Sequence, residues 1–147
     1  MIIGYMSSSS TAFLVCASAY AGFQWTVHLL IYPQFAAVPP STFPAFERGH
    51  QRRISFVVGP LFAAIVLSAV WVVVDRPAGV WPGVLAAGLV TVILGVTAFL
   101  AVPLHRRLSG GWDPVAYRAL LRADLVRTVA ATALLGVGVF VAVAPAG

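Results

Sequence analysis

Four long apolar runs divide the chain, over residues 11–32, 54–74, 79–104 and 125–146. Each is long enough to cross a hydrocarbon core of about 30 Å, at about 1.5 Å per helical residue. A chain that crosses four times alternates sides. The end of run one, the start of run two, the end of run three and the start of run four therefore share one side. That side receives all three histidines (His28, His50 and His105) and eight of the nine arginines, together with Glu47 and Asp124. Only Asp75 and Arg76 mark the turn on the other side. The pattern predicts an all-α fold: one integral membrane domain over residues 1–147, a four-helix transmembrane bundle with helices at about 11–33, 42–75, 79–105 and 114–146. Basic residues collect on the cytoplasmic face of membrane proteins. The expected location is thus a bacterial plasma (inner) membrane, with both polar loops cytoplasmic and both termini outside.

Punctuation refines the helices. Helix one should end at Pro33, with Tyr32 and Phe35 as interfacial aromatics, after a frayed tail over residues 1–10. Ser41 or Thr42 is the expected N-cap of helix two, and Gly59-Pro60 should kink it, because proline lacks a backbone donor. Asp75-Arg76-Pro77 closes it, flanked by Trp71 and Trp81. Gly88, Thr91 and Gly95 offer small surfaces for close helix approach in lipid. Asp113-Pro114 is a strong helix start, with Asp as N-cap and Pro in the first turn.

Composition strengthens the membrane reading. Hydrophobic residues make up 61% and charged residues 9% of the 147 positions, whereas soluble domains carry about a quarter charged residues. The pI near 10.4 does not indicate nucleic acid, because the arginines flank apolar runs and form no separate basic domain. The single cysteine, Cys16, excludes an internal disulfide and a paired-thiol redox centre. Ala17-Ser18-Ala19 imitates a signal-cleavage site. There is no positive leader, however, and the apolar run continues to Tyr32, so run one reads as a retained helix.

Four constellations could carry chemistry. Tyr20, Gln24 and His28 form a polar stripe on helix one. At membrane depth such a stripe either ties helices together or contacts a substrate. Glu47-x-x-His50 places a carboxylate and an imidazole on one helix face. A di-iron carboxylate site is excluded, since Glu47 is the only glutamate. A mononuclear metal held by Glu47, His28, His50 and His105 stays open, as does haem b between His28 and His50 or His105, and so does cofactor-free chemistry. The alternative is an interfacial pair held by neighbouring arginines. Val102-Pro103-Leu104-His105-Arg106-Arg107 ends helix three with either a lipid anchor or a proton carrier. Lastly, Asp124 and Arg127 lie three apart on helix four. Arg127 sits about one turn inside the apolar segment and is expected to turn inward against Asp124 or Glu47.

The segments His28-x3-Tyr32-Pro33-Gln34-Phe35, Phe46-Glu47-x2-His50-x2-Arg53-Ile54, Val102-Pro103-Leu104-His105 and Leu121-x5-Arg127-Thr128 together resemble a group of uncharacterised bacterial four-helix membrane proteins. More distantly, the layout is similar to the DUF1772 family, which includes anthrone oxygenases. The proline and aromatic closing helix one and the arginine opening helix four carry that second likeness. The resemblance implies a small membrane oxidoreductase or oxygenase acting on a lipophilic, polyketide- or quinone-like substrate that enters from the bilayer.

On this reading His28, His50, His105, Arg127 and Asp124 form the catalytic set, and Tyr20, Gln24 and Arg53 contact substrate. The histidines would move protons or ligate a metal, and the arginines would stabilise developing negative charge. The rival is a non-catalytic accessory subunit that grips lipid or a partner protein. Transport is a third class and would need a homo-oligomer to enclose a path.

Overall fold

The computed structural model describes residues 7–144, so the ends of the predicted tail and of the fourth predicted helix lie outside the described residues. Among the described residues four helices are long and apolar enough to cross a membrane: α1 (Ser8–Phe35), α2 (Phe43–Asp75), α3 (Val80–Leu108) and α4 (Pro114–Val143). The protein is an all-α four-helix bundle of the multi-pass membrane type. Successive helices pack side by side and α4 returns against α1, so α1 and α3 are diagonal.

The helix ends follow local chemistry. Ser7 caps α1, its hydroxyl accepting from the Ser10 amide at 3.1 Å. Ser9 and Ser10 are buried, and Ser9 donates to Asp75 across the bundle. The expected frayed lead-in is therefore an ordered tie at residues 7–10. Thr42 occupies the N-cap of α2 without capping it. Its hydroxyl instead bonds back to the Pro39 carbonyl at 3.2 Å. Asp113 caps α4 as expected, accepting from Val115 and Ala116. α2 runs as one helix through Pro60. It ends at Arg76, which adopts the left-handed conformation at φ 51°.

Close helix approach is made at a glycine other than the expected ones. A Cβ on Gly83 would stand 3.0 Å from Val73 Cα, whereas Gly88 and Gly95 face open space. Gly83 lets α2 and α3 touch beside their short turn.

Helix α1 does not stop at Pro33. Instead it contains a π-turn, Val27–Ile31, closed by the Tyr32 amide bonding to the Val27 carbonyl. Helix α3 does the same before Pro103, with a π-turn at Thr97–Ala101 closed by the Val102 amide on Thr97. A proline inside an α-helix offers no N–H and collides with the carbonyl four residues back. The wider turn absorbs that conflict.

The core has two apolar layers. One lies toward the Asp75 turn and centres on Phe13, Ile65, Ile93 and Leu134. The other lies toward the arginine-bearing loops and centres on Phe35, Phe43, Leu108 and Leu120. Gln24, Asp124, Arg127 and Thr128, all buried, occupy the level between them.

Candidate functional site

The two π-turns aim the polar layer. At about 100° per residue, Tyr32 in a regular helix would point about 120° away from Tyr20. One extra residue in the intervening turn removes about 100° of that, so Tyr20, Gln24 and Tyr32 all face the bundle interior. The same correction on α3 puts His105 on the face of Thr97.

Asp124 is fully buried and gathers three side chains from α1 and α4. Its Oδ1 accepts from Gln24 Nε2 at 2.6 Å and from Arg127 Nη2 at 2.8 Å. Its Oδ2 lies 2.8 Å from His28 Nδ1. Behind Gln24, the Tyr20 hydroxyl donates to Gln24 Oε1 at 3.2 Å. A lone carboxylate at this depth would be expensive, and these donors balance it. Arg127 turns inward to Asp124 and not to Glu47. It also reaches Thr97 Oγ1 at 3.4 Å and the Tyr32 hydroxyl at 3.2 Å.

The second half of the layer centres on Glu47, also fully buried. Its Oε1 lies 2.5 Å from His105 Nδ1 and accepts from Gln51 Nε2 at 3.1 Å. Gln51 also donates to Ser109 Oγ at 2.6 Å. Tyr32 joins the halves, its hydroxyl standing 3.0 Å from His105 Nε2.

Donor chemistry sets the direction of this chain. Arginine can only donate, so Tyr32 accepts from Arg127 and its own proton is free for His105 Nε2. A neutral His105 then carries its proton on Nδ1 and donates it to Glu47. The result is a one-way sequence of donors from Arg127 through Tyr32 and His105 to Glu47. Three buried side-chain atoms have no partner among the described residues: Arg127 Nε, Glu47 Oε2 and His50 Nε2.

A cleft of about 140 Å³ opens against the layer. Gln24, Tyr32, Thr97, His105 and Arg127 form its polar wall, and Phe23, Val27, Ile54, Val58 and Ala101 its apolar wall. Ser55 and Val102 are exposed members of the lining, which places the mouth between α2 and α3, toward lipid.

The expected site residues separate on this geometry. His105, Arg127 and Gln24 touch the cleft. Asp124 and His28 stand behind Arg127, and Tyr20 stands behind Gln24. His50 packs edge-on against Phe35, with ring centres 4.9 Å apart, and lies 5.8 Å from His105, outside the cleft. Arg53 is exposed on α2 and makes no side-chain hydrogen bond or ion pair among the described residues.

The four candidate metal ligands do not converge. His28 belongs to the Asp124 half, while His50, His105 and Glu47 belong to the other. Among the described residues no group of three His, Cys, Asp or Glu side chains is placed to hold a metal ion. Haem b fits no better. Both His105 nitrogens are engaged, and the cleft matches the roughly 150 Å³ cavity that admits benzene, not a porphyrin.

Sequence reasoning missed Tyr32 and Gln51. Gln51 was legible, four beyond Glu47; Tyr32 was not, because only the π-turn brings it onto the face of Tyr20 and Gln24.

No family model, curated protein or solved structure matches the chain.

Proposed function

We propose that the protein is a small membrane oxidoreductase, of the oxygenase kind, acting on a lipophilic phenolic or enolisable substrate. One observation carries this reading: a lipid-facing cleft ends on a buried guanidinium with a free N–H and, beside it, on a Tyr–His–Glu chain ordered to move a proton. The reacting ring of the substrate would lie against the polar wall at the mouth of the cleft, with the flanking rings among acyl chains between α2 and α3.

Arg127 holds the substrate oxygen, and its Nε donates as negative charge develops there. A proton leaving the substrate's activated methylene passes to His105 through the Tyr32 hydroxyl, while Glu47 balances the imidazolium. Asp124, with His28 and Gln24 behind it, fixes the guanidinium. The resulting enolate is the electron-rich species that dioxygen oxidises. In the net change the methylene becomes a carbonyl and the two hydrogens leave with one oxygen atom as water. Nothing in this scheme requires a metal. The loop side, which carries eight arginines, is the proposed cytoplasmic side.

The direct test is oxygen uptake by the purified protein in nanodiscs supplied with an anthrone. Uptake matched one-to-one by quinone formation, above empty nanodiscs and lost in Arg127→Ala, supports the reading. Uptake equal to that of empty nanodiscs overturns it.

A further inference from the structure

We infer that the outer surface between α3 and α4 is a binding site for one anionic phospholipid. The site is independent of the cleft and of its proposed chemistry. A groove of about 440 Å³ runs along this face, on the arginine-bearing half of the bundle. Its walls are Phe99 and Pro103 from α3 and Val126 from α4, over a floor that includes Ala119 and Ala123. From Val126 to Ala119 it is about 10 Å long, at about 1.5 Å per residue. That is the shape of an acyl-chain slot, and its only charged wall residue is Arg122.

Charge complementarity identifies the occupant. Arg118 lies one turn nearer the loop than Arg122, on the same face of α4. Both are exposed. Asp113, the nearest acid in sequence to Arg118, is already held by Arg107 at 2.6 Å, and Asp124, two residues beyond Arg122, is buried against Arg127, His28 and Gln24. Arg118 and Arg122 have no carboxylate partner among the described residues. Two guanidiniums at headgroup level above an apolar slot suit a phosphodiester carrying net negative charge, with a fatty chain below it. A zwitterionic lipid would bring its own ammonium to the same place and gain less. The groove owes its depth to alanines on α4 and to the Thr97–Ala101 turn on α3. The inner side of that turn carries Thr97 and Ala101 of the cleft.

Native mass spectrometry tests the inference, with the protein in micelles holding equal phosphatidylglycerol and phosphatidylcholine. The expected result is one retained phosphatidylglycerol, favoured roughly tenfold or more given two basic contacts. Arg118→Ala with Arg122→Ala should abolish the preference. Arg52→Ala with Arg53→Ala, the same charge change on α2, should preserve it. Ala119→Phe should fill the slot and reduce retention of both lipids. Should that variant fail to fold, Phe99→Ala removes a groove wall from an exposed position and should also weaken retention. The inference is overturned by equal retention of the two lipids, or by a preference that follows Arg52 and Arg53. Displacement of the lipid by inorganic phosphate, or a lipid-free dimer lost on Ala119→Phe, would overturn it equally.

Discussion

The Tyr32 hydroxyl lies 3.0 Å from Nε2 of His105, and among the described residues this is the only side-chain hydrogen bond joining the Asp124 and Glu47 halves of the polar layer. Tyr32→Phe should separate them with little change in shape. Two buried groups lose a partner, so stability should fall by about 1–3 kcal/mol. Substrate oxidation should fall about 100-fold or more, the scale of a lost general acid–base step. Full activity in this variant would show that Tyr32 carries no proton.

Asp124 and Arg127 form a buried pair at 2.8 Å. Breaking such a pair by removing one partner costs about 3–5 kcal/mol, because the other charge stays buried. Asp124→Asn should therefore lower the unfolding midpoint in micelles substantially. Arg127→Ala should insert but lose activity. Arg127→Lys should restore only part, since an ammonium cannot span Asp124, Tyr32 and Thr97 together. If Arg127→Ala retains full turnover, the residue serves packing alone.

Gly83 should prove more sensitive than the other helix-three glycines. A methyl there meets the Val73 backbone at 3.0 Å, while one on Gly88 meets nothing within 4 Å. Gly83→Ala should cost about 1–3 kcal/mol. Gly88→Ala should be neutral or should stabilise by up to about 1 kcal/mol, as alanine favours the helix. Unfolding of the two variants side by side decides the matter, and equal effects would contradict the packing at Val73.

Asp113 should give the start of α4 a pH dependence. The Ala116 amide is the largest influence holding its carboxyl below the usual aspartate value, and Val115 and Arg107 add to it. A depressed folded-state pKa means that the stabilisation is complete above the unfolded value of about 3.9 and is lost as pH falls through the folded one. Amide exchange at Val115 and Ala116, corrected for intrinsic rates, should accelerate below that range. In Asp113→Ala it should be fast at every pH. Unchanged protection in Asp113→Ala would mean that another group caps the helix.

A reporter fused after Gly147 should read outside the cytoplasm if the eight arginines of the loop side determine orientation. A cytoplasmic signal would invert the proposed topology and move the cleft to the other leaflet.

Chain order and hydropathy alone determined that there are four crossings, which loops share a side, and that the histidines, Glu47 and Asp124 meet at one level. Those properties depend on transfer free energies summed over about twenty residues, and packing detail does not alter them. The inward turn of Arg127 was legible for the same reason, since an unpaired guanidinium one turn into the apolar segment has few alternatives. Tertiary structure decided the rest. Pro33 read as a helix stop, yet neighbouring helices hold α1 together through a π-turn, and that added residue rotates Tyr32 from the lipid surface into the polar layer. The same device on α3 brings His105 within reach of Tyr32. Whether His28 stood with His50 or with Asp124 depended on which faces of α1, α2 and α4 met. No local pattern specifies that choice, because it follows from how about 100° of helical phase is spent at two prolines.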